Sequence, residues 1–186
     1  KEQEVLAINK QLDHLASHDD LTRIFNRRYL ETLLVQEHTR YLRYKEVYCI
    51  AMIDIDYFTK INDNYGHDAG DNVLIEFTRR VLLIIRKTDH FARFGGEEFA
   101  LLIPNTIEKN ALMLMERIRT AIVKEPYLYN GKEIPFTVSI GLTEVQRSKG
   151  DDAFKQLSLA DRELYEAKYA GRNRVCVYQD KELESV

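Results

Sequence analysis

The clearest pattern of hydrophobic and polar positions lies over residues 91–103. Two apolar runs there flank a pair of glycines, Gly95 and Gly96, and a pair of glutamates, Glu97 and Glu98. Adjacent glycines supply the positive φ values and bare backbone of a tight turn, and the flanking Phe, Leu and Ile suit strands with a buried face. The pattern predicts a β-hairpin with two carboxylates at its turn. The alternative is a turn whose glutamates only contribute solubility.

A second pattern is the continuous apolar run over residues 47–53, which ends at Asp54, Ile55 and Asp56. Such a run is typical of a strand buried on both faces, and ligands commonly bind beyond the carboxyl ends of such strands. If the hairpin pairs with this strand, Asp54 faces a hairpin glutamate. Clustered carboxylates repel each other without a cation, and an all-oxygen site suits Mg²⁺ or Mn²⁺. The alternative interpretation, which we favour for Asp56, is a helix cap.

The other periodic segments predict an α+β domain in which helices flank a central, mainly antiparallel sheet. Residues 65–70 predict a turn, and Asn130-Gly131 predicts a second hairpin. Predicted helices cover residues 1–17, 27–45, 57–64, 71–87, 106–124 and 151–170, and further strands cover residues 136–142 and 174–178. We expect one catalytic domain over residues 18–180, followed by a short tail over residues 181–186.

The first predicted helix, residues 1–17, places Val5, Ile8, Leu12 and Leu15 at spacings typical of a coiled-coil seam. Two heptads are too short to hold a dimer alone. We therefore expect a stalk helix that continues upstream, where a sensor or receiver domain would lie. The alternative is a helix that packs on its own domain.

Composition narrows the class of protein. The 186 residues, with 45% hydrophobic and 31% charged residues, suit one compact domain with a short extension. A net charge of -3 argues against a nucleic-acid-binding protein. No apolar run approaches the roughly 20 residues of a membrane span, although an upstream region could carry an anchor. Cys49 and Cys176 lie in apolar runs without metal-ligand spacing, which suggests the reducing cytoplasm.

Several separated motifs, in a fixed order, resemble those of the GGDEF family of diguanylate cyclases in its GGEEF form. The resemblance covers nearly the whole chain from Asp20 onward, and a series of ordered motifs is far more specific than one Gly-Gly turn. It implies a fold like that of nucleotide cyclases and polymerase palms. The matching segments are residues 20–22, 26–28, 54–58, 62–71, 93–99, 138–141 and 160–173.

The resemblance implies that the 3′-hydroxyl of one GTP attacks the α-phosphate of another. Two such steps, in a two-fold homodimer, give cyclic di-GMP and two pyrophosphates. It also implies two Mg²⁺ or Mn²⁺ ions per active site, bound by Asp54, the backbone carbonyl of Ile55 and Glu97. Glu97 or Glu98 would help to deprotonate the hydroxyl, and the sequence leaves open which of them does so.

The same resemblance assigns substrate binding to a set of separated residues. The amide of Asn62 and the carboxylate of Asp71 match the hydrogen-bonding groups of guanine. Lys168 and Arg172 would bind the triphosphate. The alternatives are a polar turn for Asn62, an N-cap for Asp71 and helix-dipole compensation for the two cations. The full assigned set is Phe58, Asn62, Asp71, Gly95, Gly96, Lys168 and Arg172.

Arg86 and Asp89 resemble the site at which the family's product, cyclic di-GMP, inhibits the enzyme. Arg can donate to guanine O6 and N7, and Asp can accept from its N1 and N2 hydrogens. An Arg-x-x-Asp pattern occurs by chance in many helices. Its offset from Gly95 is what supports this interpretation.

One position departs from the family pattern. Thr59 stands where a lysine is expected to contact the terminal phosphates, and Lys60 follows it. Neighbours on a helix point about 100° apart, so we expect Lys60 to face away from the site. The expected consequence is weaker GTP binding rather than a different reaction.

The sequence leaves two other classes of function to be considered. A degenerate domain that binds a nucleotide and signals by contact would not need Asp54, Glu97 and Glu98. A related cyclase or polymerase palm would use the paired carboxylates but would not need Asn62, Asp71 and the pair of Arg86 and Asp89 together.

Overall fold

The computed structural model describes residues 1–145 and 152–180. Its strands are β1 (Phe25–Asn26), β2 (Cys49–Ile55), β3 (His90–Arg93), β4 (Glu98–Ile103), β5 (Tyr127–Tyr129), β6 (Lys132–Ile134), β7 (Val138–Glu144) and β8 (Val175–Val177). The helices are α1 (Glu2–Ser17), α2 (Arg27–Tyr44), α3 (Phe58–Tyr65), α4 (His67–Leu82), α5 (Glu108–Lys124) and α6 (Ala153–Tyr169).

Within the described residues, the main sheet has the order β1-β3-β4-β2-β7-β8. Strand β2 lies near its centre and pairs antiparallel with both β4 and β7, whereas β1–β3 and β7–β8 are parallel pairs. The predicted α+β fold with a mainly antiparallel sheet is confirmed. The two-residue strand β1 was not predicted, because so short a strand has no detectable hydrophobic period.

Both predicted hairpins form. Strands β3 and β4 pair antiparallel around the Gly-Gly turn, and β5 and β6 pair around Asn130-Gly131. Asn130 and Gly131 have φ values of 46° and 77°, as a tight hairpin turn requires.

The sheet separates two hydrophobic clusters. Alternate residues of β2 point to opposite faces, so Ala51 and Ile53 join the cluster under α4 and α5, whereas Ile50 and Met52 join the cluster under α2 and α6. Gly141 of β7 allows α6 to pack directly on the sheet, since a Cβ there would overlap the backbone of α6. This close packing places the last turn of α6 beside the carboxyl end of β2.

The predicted bounds of α4 are wrong at both ends. We predicted a turn over residues 65–70 and a helix over 71–87, but α4 begins at His67 and ends at Leu82. Only Gly66, with a φ of 94°, interrupts the helical path between α3 and α4. Ala69 and Gly70 are buried, and the absence of a side chain at Gly70 lets α3 and α4 pack closely. Residues 67–70 therefore belong to α4 instead of forming the predicted turn.

Smaller differences occur at other ends. Helix α5 starts two residues later than predicted. Thr106 lies outside the helix, and its hydroxyl donates to the carbonyl of Pro104. Strand β7 is shifted toward the C-terminus of the predicted strand. Asp152 caps α6 by accepting from the backbone N–H of Phe154. The first residue of that predicted helix, residue 151, and the predicted tail over residues 181–186 lie outside the described part of the chain.

Helix α1 forms as predicted and buries none of its residues. The side chains of Val5, Ile8, Leu12 and Leu15 are 55–64% exposed. The alternative of a helix packed on its own domain is therefore wrong. None of the helices in the described chain combines the length and hydropathy of a membrane span. Cys49 is buried and Cys176 is half-buried, and both thiols are free.

Candidate active site

Most of the residues predicted to bind metal and triphosphate line one cavity of about 380 Å³ at the carboxyl end of β2. Strand β2, the start of α3, the Gly-Gly turn and the end of α6 all contribute to this cavity, which we call the strand-end cavity. Its lining residues are Asp54, Ile55, Asp56, Tyr57, Phe58, Thr59, Lys60, Glu97, Lys168 and Arg172.

Asp54 is the central acidic group of the strand-end cavity. Its side chain is largely buried, and its Oδ2 accepts a hydrogen bond of 2.7 Å from Nζ of Lys168. Burial raises the pKa of Asp54, while the bond from Lys168 acts in the opposite direction. The ammonium of Lys168 therefore neutralises a buried carboxylate, which is more than compensation of a helix dipole.

Asp56 has a structural role that differs from its predicted one. It does not cap α3, which starts after Tyr57 without a side-chain cap. Its carboxylate instead accepts bonds from the hydroxyls of Thr137 and Ser139, both 2.6 Å, and from the backbone N–H of Asn173 at 3.1 Å. Asp56 thus joins the ends of β2 and α6 to β7. The helix-cap interpretation was wrong because these partners are more than 80 residues away.

The two glutamates of the turn lie in different surroundings. Glu98 pairs with Asp54 across the β2–β4 ladder, so the predicted opposition of Asp54 and a hairpin glutamate is confirmed. Glu97 lines the strand-end cavity, and its carbonyl accepts from the backbone N–H of Ile55. The carboxyl of Glu98 hydrogen-bonds with Asp161 of α6. Burial, followed by the charge of Asp161 and this bond, raises the pKa of Glu98 to about 7.

Asp161 is a site residue that the sequence analysis missed. It precedes Lys168 on α6 by seven positions, which is two helical turns, so both side chains lie on the face toward β2 and β4. This spacing was the available signal. The pairing of strands β2 and β4 decides which glutamate Asp161 contacts, and the local sequence does not specify that pairing.

The Gly-Gly turn is held in place by Arg93. Its guanidinium donates to the carbonyl of Gly96 at 2.8 and 3.0 Å and to that of Gly95 at 3.2 Å. It also contacts the carboxylate of Asp19, at 3.3 and 3.4 Å, just after α1. The expectation of positive φ at Gly95 and Gly96 is wrong, because neither lies in the left-handed region. Both are exposed, and no neighbour fills the space over Gly96.

The residues assigned to guanine lie at the junction of α3 and α4. The amide of Asn62 packs over Gly70, where a Cβ would overlap its Oδ1, and Phe58 lies beside the same glycine. Asp71 follows Gly70 and is exposed in the second turn of α4, so it is not an N-cap. The structure thus brings Phe58 and Asn62 together at Gly70, the residue before Asp71, and Phe58 also lines the strand-end cavity.

Lys60 differs from its expected orientation. It lines the strand-end cavity together with Thr59, instead of facing away from it. Its ammonium lies 4.6 Å from the centre of the Tyr57 ring. Helical side chains tilt toward the N-terminus of their helix, so Lys60 reaches back over the residue three positions earlier. The angle between neighbours alone gave the wrong expectation.

Arg86 and Asp89 lie at the other end of β3 from the Gly-Gly turn. The Asp89 carboxylate is fully buried, and it accepts from the backbone N–H of Arg86 at 2.8 Å and from its guanidinium at 3.2 Å. The Arg86 side chain is 55% exposed and also donates to Thr106. The pair lines a separate cavity of about 350 Å³ with His18, Arg23 and other residues.

The metal hypothesis depends on the donor atoms in the strand-end cavity. The described residues contain no group of three His, Cys, Asp or Glu side chains already gathered around a metal position. Asp54, Ile55 and Glu97 nevertheless line the same cavity. Carboxylate and carbonyl oxygens are the ligands that Mg²⁺ and Mn²⁺ prefer, so this donor set fits such an ion if Lys168 releases Asp54.

Comparison with protein families gives a match over residues 16–174 to the GGDEF domain of diguanylate cyclases. The chain belongs to this GGDEF family. The resemblance seen in the sequence motifs is therefore confirmed.

Named relatives agree with this assignment. Diguanylate cyclase A of Treponema denticola is 40% identical over 171 residues, which cover 90% of this chain and 46% of that protein. The response regulator PleD of Caulobacter vibrioides is 39% identical over 173 residues, which cover 90% of this chain and 38% of that protein. The chain thus spans less than half the length of these curated relatives.

Solved structures share the fold over most of the chain. The coiled coil and GGDEF domain of DgcB from Caulobacter crescentus, in complex with c-di-GMP, has a TM-score of 0.89 at 26% identity and covers 95% of this chain and 93% of that one. The diguanylate cyclase SiaD from Pseudomonas aeruginosa, in complex with its activator SiaC, has a TM-score of 0.85 at 34% identity and covers 95% of this chain and 67% of that one.

Proposed function

We propose that this GGDEF domain is a diguanylate cyclase that condenses two GTP molecules into cyclic di-GMP and two pyrophosphates. The observation that carries the proposal is the strand-end cavity, in which Asp54 and Glu97 lie together with Lys168 and Arg172. A site for phosphoryl transfer needs carboxylates to bind cations and basic side chains to bind phosphate oxygens, and this cavity offers both.

Asp54, Glu97 and the carbonyl of Ile55 would bind Mg²⁺ or Mn²⁺, two ions per active site. Members of this family generally use a divalent metal. Such ions, when bound, neutralise phosphate charge and lower the pKa of the attacking hydroxyl. Lys168 and Arg172 would bind the triphosphate, and the open face of Gly95 and Gly96 would admit the nucleotide without a steric clash.

Of the two glutamates, Glu97 is the better candidate for accepting the proton of the 3′-hydroxyl. It lines the cavity, whereas the carboxyl of Glu98 is engaged with Asp161. Glu98 would then have an indirect role, in which it holds the end of β4 against α6 without contacting the reacting atoms.

The guanine base would lie between α3 and α4. There Asn62 and Asp71 would bind its polar edge beside Phe58, and adenine would leave these groups unpaired. This pocket depends on Gly70, because a larger residue would displace the amide of Asn62. GTP should therefore be preferred over ATP.

The reaction requires two copies of the domain. The strand-end cavity of each chain would bind one GTP. Two domains must therefore face each other with two-fold symmetry to bring two GTP molecules together. The exposed apolar side chains of α1 suit a paired stalk. A sensor or receiver domain upstream would control this pairing, and we propose a cytoplasmic location because the substrate GTP is supplied there.

The product would inhibit at Arg86 and Asp89, which lie away from the strand-end cavity. Arg86 is the accessible member of this pair, since the Asp89 carboxylate is buried. Its guanidinium can donate to guanine O6 and N7. Bound product would then hold the domains in an unproductive arrangement, which is a coupling between two distinct sites.

The decisive experiment incubates the full chain with Mg²⁺ and each nucleoside triphosphate in turn, and identifies the products by mass. We expect cyclic di-GMP from GTP and little product from ATP. Asp54→Asn and Glu97→Gln should nearly abolish turnover while circular dichroism stays unchanged. Glu133→Gln, an exposed change in β6, is the matched control. Parent-like turnover in both site variants, or equal use of ATP and GTP, would contradict the proposal.

A further inference from the structure

Two cations that line the strand-end cavity, Lys60 and Arg172, lie close to the ring of Tyr57, which lines the same cavity. The ammonium of Lys60 and the guanidinium of Arg172 are each 4.6 Å from its centroid. These distances allow a cation–π contact between the ring and each cation. The ring is 52% exposed, so a ligand can approach the two cations from the cavity side.

The backbone of this cluster is held in an uncommon conformation. Tyr57 and Arg172 are both left-handed, with φ values of 54° and 64°. Such residues persist where the surroundings fix them. Asp56 provides this restraint, because it precedes Tyr57 and binds the backbone N–H of Asn173, the residue after Arg172. The backbone positions that carry the ring and the guanidinium are therefore held near each other by the fold.

The charges of the cavity indicate what the cluster binds. Three cations line it within the described chain, and one of them, Lys168, is bonded to Asp54. The charged groups of Lys60 and Arg172 lie over the Tyr57 ring, and neither is paired with a carboxylate of the described residues. A triphosphate brings about four negative charges, and its terminal oxygens are best bound by charged donors at the cavity mouth.

We propose that Lys60, positioned by the Tyr57 ring beside Arg172, contacts the terminal phosphates of the triphosphate substrate in place of a lysine at Thr59. The proposal rests on the proposed function, since GTP is the ligand. Tyr57 is a positioning residue, and Lys60 touches the substrate. Binding of GTP is thereby preserved despite the departure from the family pattern at Thr59.

The test measures equilibrium binding of a non-hydrolysable GTP analogue and of GMP to the full chain, together with KM and kcat for GTP. Lys60→Gln should weaken binding of the analogue roughly tenfold and raise KM for GTP by a similar factor. Binding of GMP and the value of kcat should each change less than about twofold. Lys60→Arg should restore binding of the analogue. Lys45→Gln is the matched control, because Lys45 lies 6.0 Å from the Tyr41 ring, away from the cavity.

Changes at Tyr57 separate its ring from its hydroxyl. Tyr57→Phe should bind the analogue as the parent does, and Tyr57→Leu should bind it about threefold more weakly, because only the second variant loses the aromatic face. If the parent makes cyclic di-GMP but Lys60→Gln binds the analogue normally, this inference is wrong while the proposed function stands. A parent that makes no cyclic di-GMP would instead refute the proposed function. Equal loss of GMP and analogue binding would show a structural effect and also overturn the inference.

Discussion

Nζ of Lys168 lies 2.7 Å from Oδ2 of Asp54, so the end of α6 and the end of β2 are joined by an ion pair at the centre of the strand-end cavity. The ammonium balances the carboxylate in the conformation described. A divalent cation on Asp54 would take over this role and release Lys168 toward the phosphates. Under the proposed function, the pair would therefore couple cation binding to the presentation of a phosphate ligand.

This relationship predicts how Lys168→Gln changes stability. Without divalent cations, the free energy of unfolding of the variant should be about 1–3 kcal/mol lower than that of the parent, because the charged partner of a largely buried carboxylate is lost. Excess Mg²⁺ should raise the melting temperature of the variant more than that of the parent. Thermal unfolding with and without Mg²⁺ measures this, with the exposed Lys155→Gln on α6 as the control. An equal Mg²⁺ response in variant and parent would contradict the coupling.

The pair of Glu98 and Asp161 predicts a pH dependence of stability. The pKa of Glu98 is raised from 4.5 to about 7 in the folded chain, chiefly by burial. The folded state therefore holds this proton over a pH range in which the unfolded chain has lost it. The stability that the proton confers is complete below about pH 4.5 and decreases as the pH rises to about 7. Glu98→Gln should remove this decrease.

Urea unfolding across this pH range measures the effect. Glu133→Gln, which changes an exposed glutamate, should keep the parent's pH dependence. Identical slopes for Glu98→Gln and the parent would show that Glu98 titrates normally.

Gly70→Ala tests the guanine pocket without touching a polar group. In an ordinary helix the change stabilises by about 1 kcal/mol, but here the added Cβ would overlap Oδ1 of Asn62. We expect KM for GTP to rise roughly tenfold and the preference over ATP to fall, since the displaced amide leaves guanine unpaired. Steady-state kinetics with both nucleotides provide the measurement. Unchanged selectivity would exclude Asn62 from guanine recognition.

The exposed seam of α1 predicts a concentration dependence of activity. Specific activity should rise with protein concentration in the dilute range, because two domains must meet. Replacing Leu12 and Leu15 with Gln should shift this rise to higher concentration and leave the unfolding midpoint of the domain nearly unchanged, because neither side chain is buried. A strong parallel zipper fused before Val5 should have the opposite effect. Specific activity that is independent of concentration in a monomeric parent would contradict obligate pairing.

Arg86→Ala should relieve inhibition by the product. The exposed guanidinium is lost, while Asp89 keeps its bond from the backbone N–H of residue 86. We expect cyclic di-GMP to bind at least tenfold more weakly, by loss of a bidentate contact, with the initial rate nearly unchanged. Calorimetry and progress curves test both points, with Lys109→Ala on α5 as a control for the loss of an exposed charge. Full inhibition in Arg86→Ala would place the inhibitory product at the active site.

The sequence predicted those parts of the fold that local patterns encode. The hairpin at Gly95, the buried strand at Asp54 and helix α1 follow from hydrophobic periods and turn residues. The partners of Asp56 and the contact between Glu98 and Asp161 were not predictable. They depend on side chains brought together by sheet register and by the packing of α6, and no local spacing encodes either.

The bonds of Arg93 have a practical consequence for joining this domain to other proteins. Asp19 lies two residues after the end of α1, yet its carboxylate helps to hold the guanidinium that fixes the Gly95-Gly96 turn. The functional boundary thus lies before Asp19, between the end of α1 and the first residue that contacts the turn. A chimaera spliced after Asp19 would lose an anchor of the Gly95-Gly96 turn, whereas one spliced within α1 at an intact heptad register would keep it.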